Sequence, residues 1–335
     1  MKSALFNAHI AGIGTYIPEK ILTNFDLEKI VDTSDQWILE RTGIRERHIA
    51  SAEQAASDLG VIAAQRALDD AGLTINDMDL IITTTVTPDM LFPSTACIIQ
   101  EKLGNHTIPA FDLNAACAAF IYGLVTGTQF IATGTYRNIL LICTEALSSV
   151  TNWKDRSTCV LLADGAGAVV LQRGDSSGGV LGYTLGADGR GGLNLYQPAG
   201  GSRMPATLET VQNDLHFLRM NGQEIYKFAV RNMVETAKET MNKAGLNASD
   251  VDLFIPHQAN ARIIEGISKR LEFPQEKVVI TIDKYGNNSS ATIPLAMNDA
   301  LKAGRIKKDS VLLLVGFGAG LTWGGLALKW TKTTP

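Results

Sequence analysis

The chain has 335 residues, 45% of them hydrophobic and 19% charged, with a formal net charge of -4. This composition excludes a disordered or collagen-like chain, and the acidic balance disfavours nucleic acid, which would call for a surplus of lysine and arginine. The length exceeds one ordinary core and predicts two subdomains.

The first element, in "MKSALFNAHIAGIGTYIPEK", has its apolar run broken by His9 and reads as a strand, not as a cleaved signal peptide. Its "AGIGTY" is too short a match to the dinucleotide fingerprint to support NAD binding. Short, continuously apolar runs follow at 80–86, 139–144, 253–256 and 311–317 and predict strands covered on both faces. No run reaches the roughly 18 apolar residues of a membrane span, so no membrane association is expected. A Gly/Ser/Asp cluster at 173–179 has the composition of a linker. In the predicted helix over 223–243, Ile225, Phe228, Ala229, Met233, Ala237 and Met241 fall on one stripe that covers a sheet from one side. The segment after Cys117 is apolar almost all round (Ala118, Phe120, Ile121, Leu124, Val125), the pattern of a helix between two sheets.

An internal repeat organises these elements. "AGLTINDMDLII" from Ala71 and "AGLNASDVDLFI" from Ala244 match at an offset of 173 residues, and the same offset lays "NAACAAFIYGL" from Asn114 over "NNSSATIPLAM" from Asn287. The expected architecture is an α/β unit used twice, with an N-terminal half over 1–175 and a C-terminal half over 176–335. Packed about an approximate twofold axis, the Cys117 turn and the Asn287 turn would meet.

Four cysteines, Cys97, Cys117, Cys143 and Cys159, lie in apolar segments without CxxC or metal spacing. They predict reduced thiols in a reducing, cytoplasmic compartment and no metal site. Cys97, Cys143 and Cys159 read as small buried hydrophobes. Cys117 opens a helix, where the macrodipole lowers a thiol pKa, and on position alone it reads equally as core filler or as nucleophile. His257, in "FIPHQANARII", sits at the carboxyl end of a predicted strand, where open α/β sheets place their sites. Asn287, in "DKYGNNSSATIP", is an ordinary turn residue whose weight comes from the repeat. The glycine-rich "VGFGAGLTWG" would let backbone N–H groups approach an oxyanion.

Five blocks in order, "TSDQWILERTGIRERHIA", "DRSTCVLLADGAGA", "PHQAN", "GNNSSATIP" and "GFGAGLTWG", resemble the beta-ketoacyl-(acyl carrier protein) synthase III family. The resemblance covers nearly the full chain and implies a five-layered αβαβα thiolase fold in a homodimeric enzyme. It implies that Cys117 takes an acyl group from acyl-CoA, that His257 and Asn287 assist decarboxylation of a malonyl-carrier protein thioester, and that the backbone N–H groups of Cys117 and Ala319 form an oxyanion hole. It further implies that Trp37 and Arg41 sandwich the CoA adenine, with Arg156 nearby and Asn260 along the pantetheine channel. Phe92, whose other reading is plain core, would reach across a dimer to close the neighbour's acyl pocket, and Phe317 would be a further acyl-pocket residue. Lys227, Arg262, Lys269 and Arg270 would dock the acidic carrier protein. Coenzyme A enters as a substrate thioester, and no metal or redox cofactor is implied.

The chain departs from the family at Ala119, Ala163, Ala319 and Asn288. A positive φ at Ala319 would cost about 1 kcal/mol. Three other readings compete: a secondary-metabolism ketosynthase of the same fold using CoA esters, a Cys-His-Asn thiol hydrolase, and an inactive synthase partner. The absence of a "CGSCW" environment and the presence of Cys117 argue against the last two.

Overall fold

The apolar runs become strands of two mixed sheets in a computed structural model that describes residues 6–174 and 178–332. The first sheet holds β1 (Asn7–Tyr16), β2 (Leu80–Thr84), β3 (Ala110–Leu113), β4 (Asn138–Ala146) and β5 (Asp164–Gly174) in the spatial order β1-β5-β4-β2-β3. The second holds β6 (Gly179–Ala187), β7 (Leu253–Pro256), β8 (Val311–Gly318) and β9 (Thr322–Lys329) in the order β7-β8-β9-β6. The pairing pattern is the same in both. β2 runs parallel to β3 and β4, while β5 is antiparallel to β4 and β1. In the second sheet β7 is parallel to β8, and β9 is antiparallel to β8 and β6. The counterpart of β3 shrinks to a single parallel bridge between Phe254 and Val278.

The matched residues of the repeat have identifiable work. Among the helices, those that position the site or cover the sheets include α1 (Asp35–Thr42), α2 (Ala56–Ala71), α3 (Ala119–Ala132), α4 (Gly222–Ala244), α5 (Ala261–Arg270) and α6 (Thr292–Lys302). Gly72 ends α2 and Gly245 ends α4, both in the left-handed region at φ 66° and 68°, a cap that glycine makes without a Cβ penalty. Asp77 and Asp250 then each accept a backbone N–H three residues back, from Thr74 and Asn247, both at 2.8 Å. Asp79 accepts from the Asn138 N–H that starts β4, and Asp252 from the Val311 N–H that starts β8. One local code thus ends a helix and registers two parallel strands in each half.

Helix α2 lies on the outer face of the first sheet, against β1, β5 and β4, and α4 on the outer face of the second, against β6, β8 and β9. Helix α3 touches both sheets, and α6 lies beside it against β1, β5 and β7. Five layers result: helix, sheet, paired helices, sheet, helix. Burial follows this placement. Helix α3 buries Ala119, Phe120, Ile121, Gly123, Leu124, Val125 and Ile131 around its circumference, whereas α4 buries one stripe from Ile225 to Met241. The division at 175/176 falls on residues 175–177, outside the described residues. Among the described residues no helix is long and apolar enough to cross a membrane.

Helix α2 sits so close to β1 that a Cβ at Gly14 would lie 2.3 Å from both the Ala63 oxygen and the Ala67 nitrogen. These are backbone atoms and cannot rotate away. Gly14→Ala is expected to destabilise the fold by about 2 kcal/mol or more, seen as a lower urea midpoint.

Candidate active site

Two short turns, one in each half, carry the site. Ala116–Ala118 and Ser289–Ala291 each form one 3-10 turn and lead into α3 and α6. In the first, the Asn114 side chain accepts from the Ala116 N–H at 3.1 Å; in the second, Asn287 accepts from the Ser289 N–H at 2.9 Å. The residues so held take nearly the same left-handed conformation, Ala116 at φ 49° and Ser289 at φ 48°. This costs on the order of 1 kcal/mol for a non-glycine residue, and it aims the next residue, Cys117 or Ser290, out of the turn. Ala319, where a positive φ was considered, does not adopt one; the strain sits at Ala116 and Ser289.

Two cavities meet at Cys117. One, of ≈ 220 Å³, is lined by Cys117, His257 and Asn287 together with Trp37, Arg41, Asn260 and Phe317. The other, of ≈ 510 Å³, shares Cys117 and Asn287, includes Ala319, and is walled by apolar side chains such as Val86, Leu147, Val150, Leu162 and Leu218. The duplicated turns therefore converge, and His257 joins them in the first cavity.

His257 follows β7 and is fixed by a backbone bond to the Val315 carbonyl at 2.8 Å. The next residue, Gln258, locks this corner by donating to the Pro256 and Val279 carbonyls and accepting from the Thr281 N–H. The imidazole is buried, which pushes its pKa down to about 3, so it is neutral. Its Nδ1 lies 2.6 Å from the Thr292 hydroxyl, which also has the Ser289 carbonyl within 3.0 Å. A hydroxyl has one proton to give. Turned to Nδ1, that proton leaves Nε2 as the ring's N–H; turned to the Ser289 carbonyl, it leaves Nδ1–H donating to the hydroxyl. Asn287 is held through its backbone, donating to the Leu161 carbonyl at 2.9 Å and accepting from Ala163 N–H at 3.0 Å.

The helix start was expected to lower the Cys117 thiol. Burial outweighs it and pushes the group up to about 12, with the Ser289 hydroxyl acting in the opposite sense. The free enzyme thus holds a thiol. Behind it, a Cβ on Gly318 would come 2.5 Å from the Cys117 nitrogen. Only a bare backbone lets the end of β8 pass this close, which brings Ala319 to the same cavity wall as Cys117.

Other expected residues fall as follows. The guanidinium over the Trp37 ring is that of Arg156, 4.8 Å from the centroid; Arg41 instead accepts, through its carbonyl, a hydrogen bond from Asn260. Asn260 also caps α5. Phe317 lines the smaller cavity, its ring edge-on to His257 at 5.7 Å, and is absent from the wall of the larger one. Phe92 is neither core nor part of this chain's own cavities: it is 83% exposed, next to Leu91 at 77%. Arg262, Lys269 and Arg270 are exposed on α5, and Lys227, exposed on the neighbouring α4, pairs with Glu224 at 2.8 Å. Sequence reasoning assigned no role to Thr292, and none to Asn114, although the 173-residue offset lays Asn114 over Asn287.

Duplicated α/β halves that bring a cysteine from one elbow to a neutral histidine and an asparagine from the other define a thiolase-fold acyltransferase. The family model described as 3-oxoacyl-[acyl-carrier-protein (ACP)] synthase III matches residues 111–189, and the model of its C-terminal part matches 241–330. The chain is 56% identical over 325 residues to the beta-ketoacyl-[acyl-carrier-protein] synthase III of Caldanaerobacter subterraneus subsp. tengcongensis, covering 97% of this chain and 98% of that one. It superposes on the crystal structure of 3-oxoacyl-[acyl-carrier-protein] synthase III from Aquifex aeolicus VF5 with a TM-score of 0.90 at 44% identity, covering 96% of this chain and 100% of the other. The priming beta-ketosynthase of the R1128 polyketide pathway gives a TM-score of 0.92 at 32% identity, covering 99% of this chain and 98% of that one. The chain belongs to the 3-oxoacyl-[acyl-carrier-protein] synthase III family.

The neutral His257 makes stability depend on pH. With its pKa near 3 when folded and 6.5 as the ordinary value, the unfolded chain binds the extra proton between these limits. Stability from this residue is therefore full above the upper limit and declines as pH falls toward the lower one. At about pH 5 the loss is on the order of 2 kcal/mol. His257→Asn should flatten that part of a melting-temperature profile between about pH 7 and 5, and an unchanged slope would contradict the assignment.

Proposed function

We propose that the chain joins an acyl-CoA starter to malonyl-acyl carrier protein by decarboxylative Claisen condensation, yielding a 3-oxoacyl-acyl carrier protein and initiating fatty acid synthesis. The observation that carries this reading is the convergence of Cys117, His257 and Asn287 on one cavity, with an apolar second cavity opening beside the thiol. The sulfur of Cys117 attacks the acyl thioester, the bond to CoA breaks, and the thiol proton leaves with the CoA sulfur. The malonyl thioester then loses carbon dioxide, and its carbonyl oxygen takes the enolate charge. The Nε2–H of His257 and the amide of Asn287 donate to that oxygen; in a dry pocket such fixed neutral donors stabilise developing charge without reorganising. The carbanion attacks acyl-Cys117, the N–H groups of Cys117 and Ala319 receive the tetrahedral oxyanion, and collapse returns the thiolate, which regains a proton. Decarboxylation itself supplies the nucleophile, so the scheme calls for no metal or redox cofactor.

In this reading the Trp37–Arg156 pair opens to receive the adenine, a planar cation and an aromatic face being suited to a flat base, with Arg41 at the rim and Asn260 along the pantetheine arm. The exposed Lys227, Arg262, Lys269 and Arg270 offer a positive surface beside the mouth for an acidic carrier protein. The apolar tip at Leu91 and Phe92 fits a homodimer in which a second copy covers it. The site serves a cytoplasmic enzyme. The similarity to a polyketide priming synthase keeps a CoA-ester extender as the second reading; competing malonyl-CoA against malonyl-carrier protein in a condensation assay separates the two.

His257→Ala and Asn287→Ala should still form the acyl-enzyme, while carbon dioxide release and condensation fall by roughly 100-fold or more. Intact-mass spectrometry and release of labelled carbon dioxide read the two steps separately. Condensation at full rate in either variant would contradict the roles given.

A further inference from the structure

Thr292 opens α6 and sits where the second elbow meets His257. Its hydroxyl lies 2.6 Å from the His257 Nδ1 and 3.0 Å from the Ser289 carbonyl, and Thr292 and His257 are 2% and 1% exposed. Among the described residues this hydroxyl is the one hydrogen-bond partner of the imidazole ring. A neutral imidazole has one N–H and one bare nitrogen, and the bond made at one nitrogen decides which is which. The hydroxyl proton has two places to go. Sent to Nδ1, it makes Nε2 the N–H; sent to Ser289, it makes the hydroxyl the acceptor of an Nδ1–H and leaves Nε2 bare. The Ser289 carbonyl has a donor of its own, the backbone N–H of Thr292, which closes the 3-10 turn. The distances point the same way: 2.6 Å is short for an N–H donor and within the range of a hydroxyl donor, while 3.0 Å is at the long end for a hydroxyl.

The duplication separates this hydroxyl from the turn that carries it. At the 173-residue offset Thr292 lies over Ala119, and His257 over Thr84. Ala119 follows its own 3-10 turn at φ −65° and donates its N–H to the Ala116 carbonyl; Thr292 does the same at φ −60° toward Ser289. The two helix starts are alike in backbone, and the one without a hydroxyl also leads into a buried helix. A threonine at such a start has a local use, bonding back to a carbonyl of the preceding turn. Ala119 makes that bond dispensable for the geometry. What the second half holds and the first lacks is the imidazole, so hydroxyl and ring occur together.

We infer that Thr292 is a positioning residue for His257: its hydroxyl donates to Nδ1 and holds the ring as the tautomer that carries its proton on Nε2. The ring then has an N–H to offer in the cavity it lines with Cys117 and Asn287. The inference rests on His257 as a hydrogen-bond donor to the malonyl thioester in the proposed condensation. One arm of its test is independent of activity. In protein carrying ring-¹⁵N-labelled histidine, the His257 signal is identified by its absence from His257→Asn. Its protonated nitrogen is expected to couple to both ring C–H protons at neutral pH, the signature of Nε2–H; a proton on Nδ1 would overturn the inference. Thr292→Val keeps the shape of the side chain and removes the donor. It should form the acyl-enzyme within about twofold of the wild-type rate, while kcat for carbon dioxide release falls at least about tenfold, the effect of one lost hydrogen bond, with KM for malonyl-carrier protein little changed. Thr292→Ser restores the hydroxyl and should restore most of that rate. Full carbon dioxide release in Thr292→Val, or a Thr292→Ser protein as slow as Thr292→Val, would overturn the inference. Equal loss of acylation and carbon dioxide release in Thr292→Val would do so too, being the mark of a disturbed turn. Should Thr292→Val fail to fold, the wild-type ring signal still decides. Wild-type protein that shows the Nε2 proton but releases no carbon dioxide from a malonyl thioester would count against the proposed condensation and leave the tautomer standing.

Discussion

A left-handed residue followed at once by a helix, held by an asparagine two positions upstream, is the constraint on which the site depends. It occurs twice, at Asn114–Ala116 and Asn287–Ser289. A non-glycine residue does not rest there unaided, so the surroundings must over-determine it. They do so with two sheets and two central helices. Helices α3 and α6 start directly after the elbows and are buried between the sheets, so their ends cannot drift. Backbone bonds from Asn287 to Leu161 and Ala163 tie the second elbow to the first half. The five layers act as a mount for two turns meeting near an approximate dyad.

That mount also fixes the electrostatics. Burial keeps His257 neutral and Cys117 protonated in the free enzyme, and a neutral imidazole suits a step in which enolate charge develops on the reacting oxygen. A charged imidazole would stabilise ground state and enolate alike, whereas neutral donors in a dry cavity favour the charge that develops. Two of the polar features have a holder: Thr292 for the imidazole, and Gln258 for the corner of the chain that carries His257. The apolar cavity next to Cys117 asks only for bulk, and its aliphatic wall supplies it.

Much of this was legible in the sequence, because the duplication left a constant 173-residue offset. The same offset separates the starts of β2 and β7, of β4 and β8, and of α3 and α6, so the central helices and the meeting of the turns followed from one alignment of the chain with itself. The family resemblance added roles that spacing cannot assign. Three things stayed hidden. The strained residue was sought at Ala319, in a glycine-rich segment, but the left-handed residues are those whose N–H groups donate to the Asn114 and Asn287 side chains, which composition does not reveal. The thiol was expected to be acidic from its helix start, but burial is a tertiary property and outweighed the local dipole. The ring of Trp37 faces Arg156, more than a hundred positions away, in preference to Arg41 one turn along its own helix.

The account makes Cys117 the single site at which acyl groups enter and leave. Incubation of the protein with an acyl-CoA, followed by digestion and mass mapping, tests this most directly. One acyl mass on the peptide carrying Cys117, discharged as a 3-oxoacyl product once malonyl-carrier protein is added, is the predicted result. An acyl group on Cys97, Cys143 or Cys159, or its discharge as free acid without a new carbon–carbon bond, would contradict it.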